Sequence, residues 1–339
     1  MNRRGGGTPA WWQGGASVPW HARALSALYG RLVAMRRSLY RRGWLKTRRV
    51  DAPVLVVGNF SAGGSGKTPL VIAIANRLRA AGWTPGIASR GYGRSEPGTP
   101  RWVEAGSDPR THGDEAVLIA RRSGCKVRVD ADRVAAASAL VAEGCDVVIC
   151  DDGLQHLRLA RDIAIEVVDA TRRYGNGRLL PAGPLREHPA DAPRPDFRVV
   201  NHGIAANLPE PELDEWPMRQ VFGHPFPLHG ARARPFSDFS GRRVHAIAGI
   251  GHPERFFELL RAQGLGVVPH PFPDHHDFQP EDFELGSALP VFMTEKDAVK
   301  CAAFAPEDSW CVAIEARLPE AFWLALEDRL AALRRNGDE

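Results

Sequence analysis

The chain has 339 residues, of which 44% are hydrophobic and 25% charged, and a formal net charge of +4. This length allows two domains, and the apolar content is ordinary for a globular protein with a sizeable core. The five cysteines form no C-x-x-C pair, which argues against a disulfide framework or zinc site and favours a reducing compartment. With no run of eighteen apolar residues and no apolar stretch at the N-terminus, we expect neither a transmembrane helix nor a secretory signal.

The positive charge is concentrated in an N-terminal arm, residues 1–45. The first 50 residues contain eleven Lys or Arg and no acidic residue, so the rest of the chain is net acidic. Between residues 20 and 43 a helix is predicted, with one apolar stripe formed by Leu25, Leu28, Leu32, Met35 and Leu39. Aromatic rings and arginines beside this stripe favour the headgroup layer of a membrane. A helix packed on the protein core and a nucleic-acid-binding arm are the alternatives.

The most informative segment is an apolar strand from Val54, a glycine-rich loop and an apolar helix. It meets the P-loop pattern G-x-x-x-x-G-K-[ST] except at the first position, where Ser61 replaces glycine. Glycines let backbone amides approach phosphate, lysine adds charge, and the following hydroxyl suits Mg²⁺. We therefore predict that the phosphates of a nucleotide bind at Ser61, Ala62, Gly63, Gly64, Ser65, Gly66, Lys67 and Thr68.

Strand and helix patterns alternate after this loop, which predicts an α/β fold with a P-loop NTPase-like, mostly parallel sheet flanked by helices. The predicted strands cover 84–89, 126–130, 145–150, 163–169 and 197–201, the last of this unit, and the predicted helices cover 113–122 and 131–143. We assign 46–205 to the P-loop domain, 206–240 to a Pro-, His- and Arg-rich linker, and 241–339 to a smaller α/β domain. Its predicted strands cover 244–250, 291–293 and 310–314, and its predicted helices 254–263, 296–303 and 320–334.

Several acidic and histidine residues are candidates for chemistry. Asp151 and Asp152 end an apolar strand, which beside a P-loop is where a Mg²⁺-binding acid belongs. Asp114 opens a predicted helix; its local sequence favours an N-terminal cap, with a general base as the alternative. The side chains of adjacent His275 and His276 point apart in an extended segment, so a histidine that assists an Asp base is favoured over a transition-metal site.

Two loops present arginines. Arg186 and Glu187 follow a Pro- and Gly-rich turn, where they would suit phosphate and metal respectively, although such a pair is more often an ordinary solvated ion pair. Arg90, Tyr92 and Arg94 alternate with glycines after a predicted strand. This loop fits the binding of an anionic substrate, with a plain surface loop as the alternative.

Taken in chain order, these motifs resemble the tetraacyldisaccharide 4′-kinase family, the lipid A 4′-kinases of Gram-negative bacteria. The resemblance extends from about residue 20 to 330, and the family uses a hydroxyl residue where this chain has Ser61. It is carried by VGNFSAGGSGKTP (57–69), SRGYGR (89–94), GDE (113–115), DDGLQH (151–156), LLPAGPLRE (179–187), GIGHPERF (249–256), DHHDF (274–278) and TEKDAVK (294–300).

The resemblance implies ATP-dependent phosphorylation of the 4′-hydroxyl of a tetraacylated glucosamine disaccharide 1-phosphate. It implies Asp114 as the base, paired with His275 or, as the fallback, His276. Lys67 would bind the terminal phosphates and Arg186 the transferring group. Mg²⁺ would lie among Thr68, Asp151, Asp152 and Glu187. The lipid substrate would be met by Arg90, Tyr92, Arg94, Gln155 and His156.

The resemblance also implies a peripheral protein on the cytoplasmic face of the bacterial inner membrane, attached through the N-terminal helix, without nucleic acid or an obligate protein partner. Departures are small: His252 stands where Asn is expected, and Leu154 where Phe is common. The rival hypothesis is a membrane-associated P-loop ATPase of the partitioning or cell-division type, but those proteins carry a lysine where this chain has Ala62. A GTPase is disfavoured because an N-K-x-D motif is absent. A nucleic-acid-binding module would leave the P-loop unexplained.

Overall fold

A computed structural model describes residues 9–204, 213–230, 232–251, 253–274 and 276–335. Within these ranges the strands form two separate sheets. The strands are β1 (Val54–Gly58), β2 (Pro85–Ser89), β3 (Arg101–Val103), β4 (Lys126–Val129), β5 (Val147–Asp151), β6 (Ile163–Asp169), β7 (Phe197–Asn201), β8 (Trp216–Phe222), β9 (Phe226–Pro227), β10 (Arg243–Ala248), β11 (Gly266–Pro271), β12 (Val291–Thr294), β13 (Ser309–Val312) and β14 (Ile314–Arg317). The α-helices are α1 (Trp20–Arg41), α2 (Lys67–Ala80), α3 (Pro109–His112), α4 (Asp114–Ser123), α5 (Arg133–Ala142), α6 (Pro253–Ala262), α7 (Glu295–Cys301) and α8 (Glu320–Arg335).

The larger sheet is mostly parallel, as predicted. Its strand order is β14-β8-β7-β6-β1-β5-β2-β4-β3, and only the edge strands β14 and β3 pair antiparallel with their neighbours in the described chain. The smaller sheet has the order β11-β10-β12-β13-β9, with β9 antiparallel. Parallel strands end at one edge of a sheet, so the segments that follow β1, β5 and β6 lie next to one another.

Helices cover both faces of the larger sheet, which explains the unbroken apolar run in β1. Leu55 and Val57 pack in one core with α2, α4 and α8, whereas Val54 and Val56 pack with α5 on the other face. A parallel strand buried on both faces needs apolar residues at every position. The register then places the end of the P-loop strand beside the acidic end of β5, because Val57 pairs with Asp151.

The predicted boundary between the two units is wrong at two places. Strand β7 is not the last strand of the P-loop unit, because β8 and β14 extend the same sheet beyond it. Strand β8 lies inside the expected linker 206–240, and β14 inside the expected smaller domain 241–339. Residues 206–212 and 231 of that linker lie outside the described residues.

The C-terminal helix α8 also belongs to the larger unit. Phe322 is fully buried in the same core as α2, and Arg77 of α2 forms ion pairs with Glu320 and Glu327 of α8 at 2.6 Å. An amphipathic helix must bury its apolar face, but its own sequence does not say against which sheet. The chain therefore leaves the larger unit after β8 and returns to it at β14.

The predicted N-terminal helix is present as α1. The face of α1 that lies away from the apolar stripe docks on the body of the protein, where Ala22 is buried. The helix thus packs on the protein body as the alternative had it, but through another face, and most of the apolar stripe stays exposed. The exposed fractions of Leu25, Leu28, Leu32 and Met35 in the stripe are 55%, 54%, 52% and 56%. Among the described helices, none combines the length and the hydropathy that a transmembrane span requires.

Candidate active site

The glycine-rich loop between β1 and α2 is held in shape by its own polar groups. Asn59 donates a hydrogen bond to the Ser65 hydroxyl at 3.1 Å, and the Asn201 amide donates to the Ser65 carbonyl at 3.0 Å. Gly63 and Gly66 have φ values of 106° and 88°, a region that favours glycine. The loop thus reaches the first turn of α2 in a conformation that side chains at these two positions would strain.

Lys67 opens α2 and lies directly over the acidic end of β5. Its ammonium group donates to the Asn59 side chain at 3.1 Å and lies 3.5 Å from a carboxylate oxygen of Asp152. Thr68, which follows it, is buried. A lysine held between an amide and a carboxylate at a helix N-terminus is placed to bind a phosphate that arrives above the loop.

The two acids after β5 occupy different environments. Asp151 is buried, and burial together with Glu115 and Asp152 raises the pKa of its carboxyl to about 7. Its Oδ1 has no hydrogen-bond partner in the described part of the chain, and its Oδ2 accepts a weak bond from Ser89 at 3.4 Å. A buried carboxylate oxygen without a donor is a suitable ligand for a hard cation, so the residues fit Mg²⁺.

Two neighbouring positive charges stabilise the ionised form of Asp152. Arg186 donates to both of its carboxylate oxygens at 2.8 Å. Burial opposes ionisation, but the positive charges of Lys67 and Arg186 outweigh it and lower the pKa of Asp152. Its φ of 51° is unusual for a non-glycine residue, and such backbone conformations occur more often in functional loops than elsewhere. The structure therefore brings together Lys67, Asp151, Asp152 and Arg186, as predicted from separate motifs.

Glu187 does not join these acids in one cluster. Its carboxylate accepts hydrogen bonds from Arg37 of α1 at 3.0 Å and from Gln155 at 3.3 Å. Among the described residues, no three His, Cys, Asp or Glu side chains converge as a metal site. The shell of three carboxylates expected from the sequence is not seen, because Glu187 is engaged by α1; its binding of metal stays a prediction. Mg²⁺ commonly takes one or two carboxylates and completes its shell with phosphate and water.

Asp114 begins α4 and is buried, with its Oδ1 accepting from the Glu115 amide at 2.9 Å. The N-cap of α4 is Gly113, and no side chain among the described residues caps the helix, so the prediction that Asp114 is the cap is wrong; Asp114 is instead the first residue of the helix. His275, its expected partner, lies outside the described residues. His276, the fallback, binds Asp282 at 2.9 Å and lies between two phenylalanines, which makes it the less suitable candidate.

Residues 18–331 match the family model described as tetraacyldisaccharide-1-P 4′-kinase. The chain belongs to this family. A tetraacyldisaccharide 4′-kinase from Xanthomonas euvesicatoria pv. vesicatoria is 58% identical over 98% of both chains, and one from Stenotrophomonas maltophilia is 57% identical over 99% of this chain and 100% of that relative. A crystal structure of LpxK from Aquifex aeolicus in complex with ATP is 29% identical, with a TM-score of 0.76 over 91% of this chain and 98% of the other.

Membership of the 4′-kinase family confirms the resemblance and leaves the rival partitioning-type ATPase without support. The expected substrate loop 90–94 divides into two parts in this kinase. Arg90 and Tyr92 are exposed. Arg94, in contrast, is buried and donates to the carbonyls of Pro97 and Thr99 in its own loop. Its guanidinium therefore holds the loop in shape, and a direct substrate contact is not what the structure favours.

A cluster of positive charge surrounds His156 of this kinase. Burial and the charges of Arg133, Arg36 and Arg90 lower the pKa of His156 to about 4. Arg133 was not expected from the sequence: it is 2% exposed, donates to the Asp130 carbonyl at 2.6 Å, and leaves its Nε without a partner in the described chain. An arginine that opens an otherwise apolar helix was the signal that could have revealed it. The cluster suits an anionic group.

A cleft lies between the P-loop of this kinase and residues 166–175. Trp12 also lines this cleft. Arg172 crosses it, bound to Asp169 at 3.1 Å and to the Gly64 carbonyl. The sequence around Arg172 does not indicate its contact with the P-loop, because Gly64 is more than a hundred residues away.

Proposed function

We propose that this member of the 4′-kinase family transfers the terminal phosphate of ATP to the 4′-hydroxyl of a tetraacylated glucosamine disaccharide 1-phosphate, with Asp114 as the base. The observation that carries the proposal is the P-loop lysine placed 3.5 Å from Asp152 at the ends of neighbouring strands. Phosphoryl transfer depends mostly on positioning and on neutralising charge, and this arrangement supplies both.

The phosphates would bind to the loop amides and to Lys67. In the structure Lys67 is close to Asp152, and an arriving phosphate offers it a stronger anionic partner. Thr68, Asp151 and Asp152 would hold Mg²⁺, which neutralises charge on the phosphate oxygens when it is bound. Oδ1 of Asp151, which is buried without a hydrogen-bond donor among the described residues, supports this assignment.

Asp114 would accept the proton of the 4′-hydroxyl as that oxygen attacks phosphorus, and His275 would orient it. Asp114 is buried at the start of α4, and its neighbour Glu115 lies within electrostatic reach of Asp151, which supports a role for this helix start in the same centre. Arg186, already bound to Asp152, would stabilise charge on the transferring group.

The positive cluster around His156 would bind the sugar phosphate of the acceptor. Arg90 and Arg133 contribute positive charge, whereas His156, whose pKa is lowered to about 4, stays neutral near pH 7 and can exchange hydrogen bonds with sugar hydroxyls. Tyr92 and Gln155 complete the proposed acceptor surface. Gln155 is already bound to the Asn59 carbonyl at 3.0 Å, which ties this surface to the P-loop.

Helix α1 would attach the kinase to the cytoplasmic face of the inner membrane as a peripheral protein. Its exposed stripe, Trp20 and surrounding arginines match an amphipathic helix that lies in the headgroup layer. Burying the stripe in lipid would remove a large apolar surface from water. A lipid acceptor gives this attachment a purpose, because the acyl chains stay in the bilayer while the sugar reaches the kinase.

A transfer assay tests the proposed function. The full chain is incubated with ATP, Mg²⁺ and the lipid disaccharide in detergent micelles, and phosphate on the 4′-oxygen is measured. Wild type and Lys46→Ala, which removes an exposed lysine outside the site, should be active, whereas Lys67→Ala should lose both ATP affinity and turnover. Absence of 4′-phosphate in the wild type, or a fully active Lys67→Ala, would contradict the proposal.

A further inference from the structure

The docked face of α1 contacts the segment that carries Arg186 and Glu187. The Tyr29 hydroxyl donates to the Arg186 carbonyl at 2.8 Å. The Arg37 guanidinium forms an ion pair with Glu187 at 3.0 Å, in which the side chains are 11% and 6% exposed. Helix α1 is therefore bound to this segment by a nearly buried charge pair as well as by backbone contacts.

The same segment is hydrogen-bonded to the start of the P-loop. The Arg186 amide donates to the Phe60 carbonyl, and the Ala62 amide donates to the Pro184 carbonyl, both at 2.7 Å. Gln155 donates to the carbonyl of Asn59 at 3.0 Å and to Glu187 at 3.3 Å. A displacement of Glu187 would therefore shift residues of the P-loop.

Side chains continue the connection to the reacting groups. Arg186 lies within 3.4 Å of the Gln155 side-chain oxygen and bonds both oxygens of Asp152 at 2.8 Å. Asp152 in turn lies 3.5 Å from Lys67. A continuous polar network thus runs from Arg37 on α1, through Glu187, Gln155, Arg186 and Asp152, to the P-loop lysine.

The charge of Arg37 neutralises the Glu187 carboxylate in this network. Arg161 also lies within electrostatic reach of Glu187, but its guanidinium donates to the Leu154 carbonyl at 2.8 Å. Without Arg37, the nearly buried Glu187 carboxylate would lose its ion-pair partner, and a buried carboxylate without one is strongly unfavourable. Arg186 is adjacent to Glu187 in the chain, and turning toward this carboxylate would take Arg186 away from Asp152.

We propose that Arg37 is a positioning residue for phosphoryl transfer: by pairing with Glu187 it keeps Arg186 on Asp152 and available to the transferring phosphate. Helix α1 then contributes to the catalytic framework through one face while its other face stays free for lipid. This inference rests on the proposed function, since it assigns Arg37 a part in that same transfer.

The test compares two variants that each remove one charge from the same helix. Arg37→Met breaks the pair with Glu187, whereas Arg31→Met removes an exposed arginine on another face of α1. In the micelle transfer assay we expect kcat of Arg37→Met to fall by about tenfold or more, with KM for the lipid little changed and partial recovery in Arg37→Lys. Arg31→Met should keep the wild-type kcat, and its loss of binding to anionic vesicles should be at least as large as that of Arg37→Met, because Arg37 is nearly buried in its ion pair with Glu187.

A double-mutant cycle with Glu187→Gln separates positioning from a general loss of structure. If Arg37 acts through Glu187, adding Arg37→Met to Glu187→Gln should cost little further kcat. Multiplied losses in the double variant, or equal kcat in Arg37→Met and Arg31→Met, would overturn the inference. If Arg37→Met lacks a cooperative melting transition, Arg37→Gln replaces it, and full kcat in that variant would refute the role. An inactive wild type would instead refute the proposed function.

Discussion

Replacing Gly66 by alanine tests whether the P-loop is preshaped before a nucleotide binds. Gly66 has a φ of 88°, and a Cβ added there would collide with the Asn201 amide and lie 3.1 Å from the Gln220 side-chain nitrogen. An L-residue in the left-handed region costs about 1–2 kcal/mol. Displacing Asn201 would also break its 3.0 Å hydrogen bond to the Ser65 carbonyl, which is worth about 1 kcal/mol. We therefore expect Gly66→Ala to lose about 2–3 kcal/mol of folding free energy without nucleotide.

Gly64→Ala is the matched control within the same loop. A Cβ at Gly64 would meet nothing within 4 Å, and its φ lies outside the positive range. Urea unfolding of the nucleotide-free variants, followed by tryptophan fluorescence, should show a lower midpoint for Gly66→Ala and a midpoint near the wild type for Gly64→Ala. Equal midpoints for the two variants would refute the argument that Asn201 and the backbone conformation shape the loop.

Three further predictions address the base, the membrane helix and the positive cluster. Asp114→Asn should lower kcat by about 10² or more with ATP affinity kept, because an amide cannot accept the hydroxyl proton. Leu28→Ser combined with Leu32→Ser should weaken cosedimentation with anionic vesicles by about tenfold or more, since each leucine gains at least ~1.5 kcal/mol on full burial in lipid. Lowering the pH from 6.5 toward 4 should reduce the free energy of unfolding of the wild type by about 1–2 kcal/mol more than that of His156→Gln, as measured by urea unfolding. This magnitude is discounted for the partial exposure of the His156 side chain.

The sign of the pH effect follows from the lowered pKa of His156, about 4 in the folded protein. The unfolded chain takes up the proton near pH 6.5, so stability that is present above this pH is lost as the pH falls toward the folded value. Parallel pH profiles for wild type and His156→Gln would contradict the prediction. Near-normal turnover in Asp114→Asn, or unchanged sedimentation of the double serine variant, would likewise remove those residues from their proposed roles.

Features with a local physical cause could be predicted from the sequence. The P-loop follows from a strand, glycines and a lysine within fifteen residues, and the acidic pair from an apolar strand that ends in Asp151 and Asp152. The apolar stripe of α1 is a matter of helical spacing, so its helix was predicted almost to its limits. Family resemblance extended these local signals to an activity, which the family match confirmed.

Features that depend on distant partners required the tertiary structure. Arg37 and Glu187 are 150 residues apart, and nothing in either segment indicates that one neutralises the other. Arg94 is predicted to contact substrate, but it donates to carbonyls in its own loop. Arg133 is absent from the predicted site, although it is buried and its charge lowers the pKa of His156. A charged side chain reports its chemistry in the sequence, but its partner is set by packing.

The amino-acid sequence by itself determined the glycine-rich P-loop, the acids of β5 and the amphipathic helix, because each depends on backbone conformation and periodicity over a few turns or one strand. The tertiary structure alone decided that β8, β14 and α8 complete the larger unit and that α1 docks on the Arg186–Glu187 segment. Burial of apolar faces and pairing of buried charge are satisfied between segments far apart in the chain, so only the folded protein shows which segments meet.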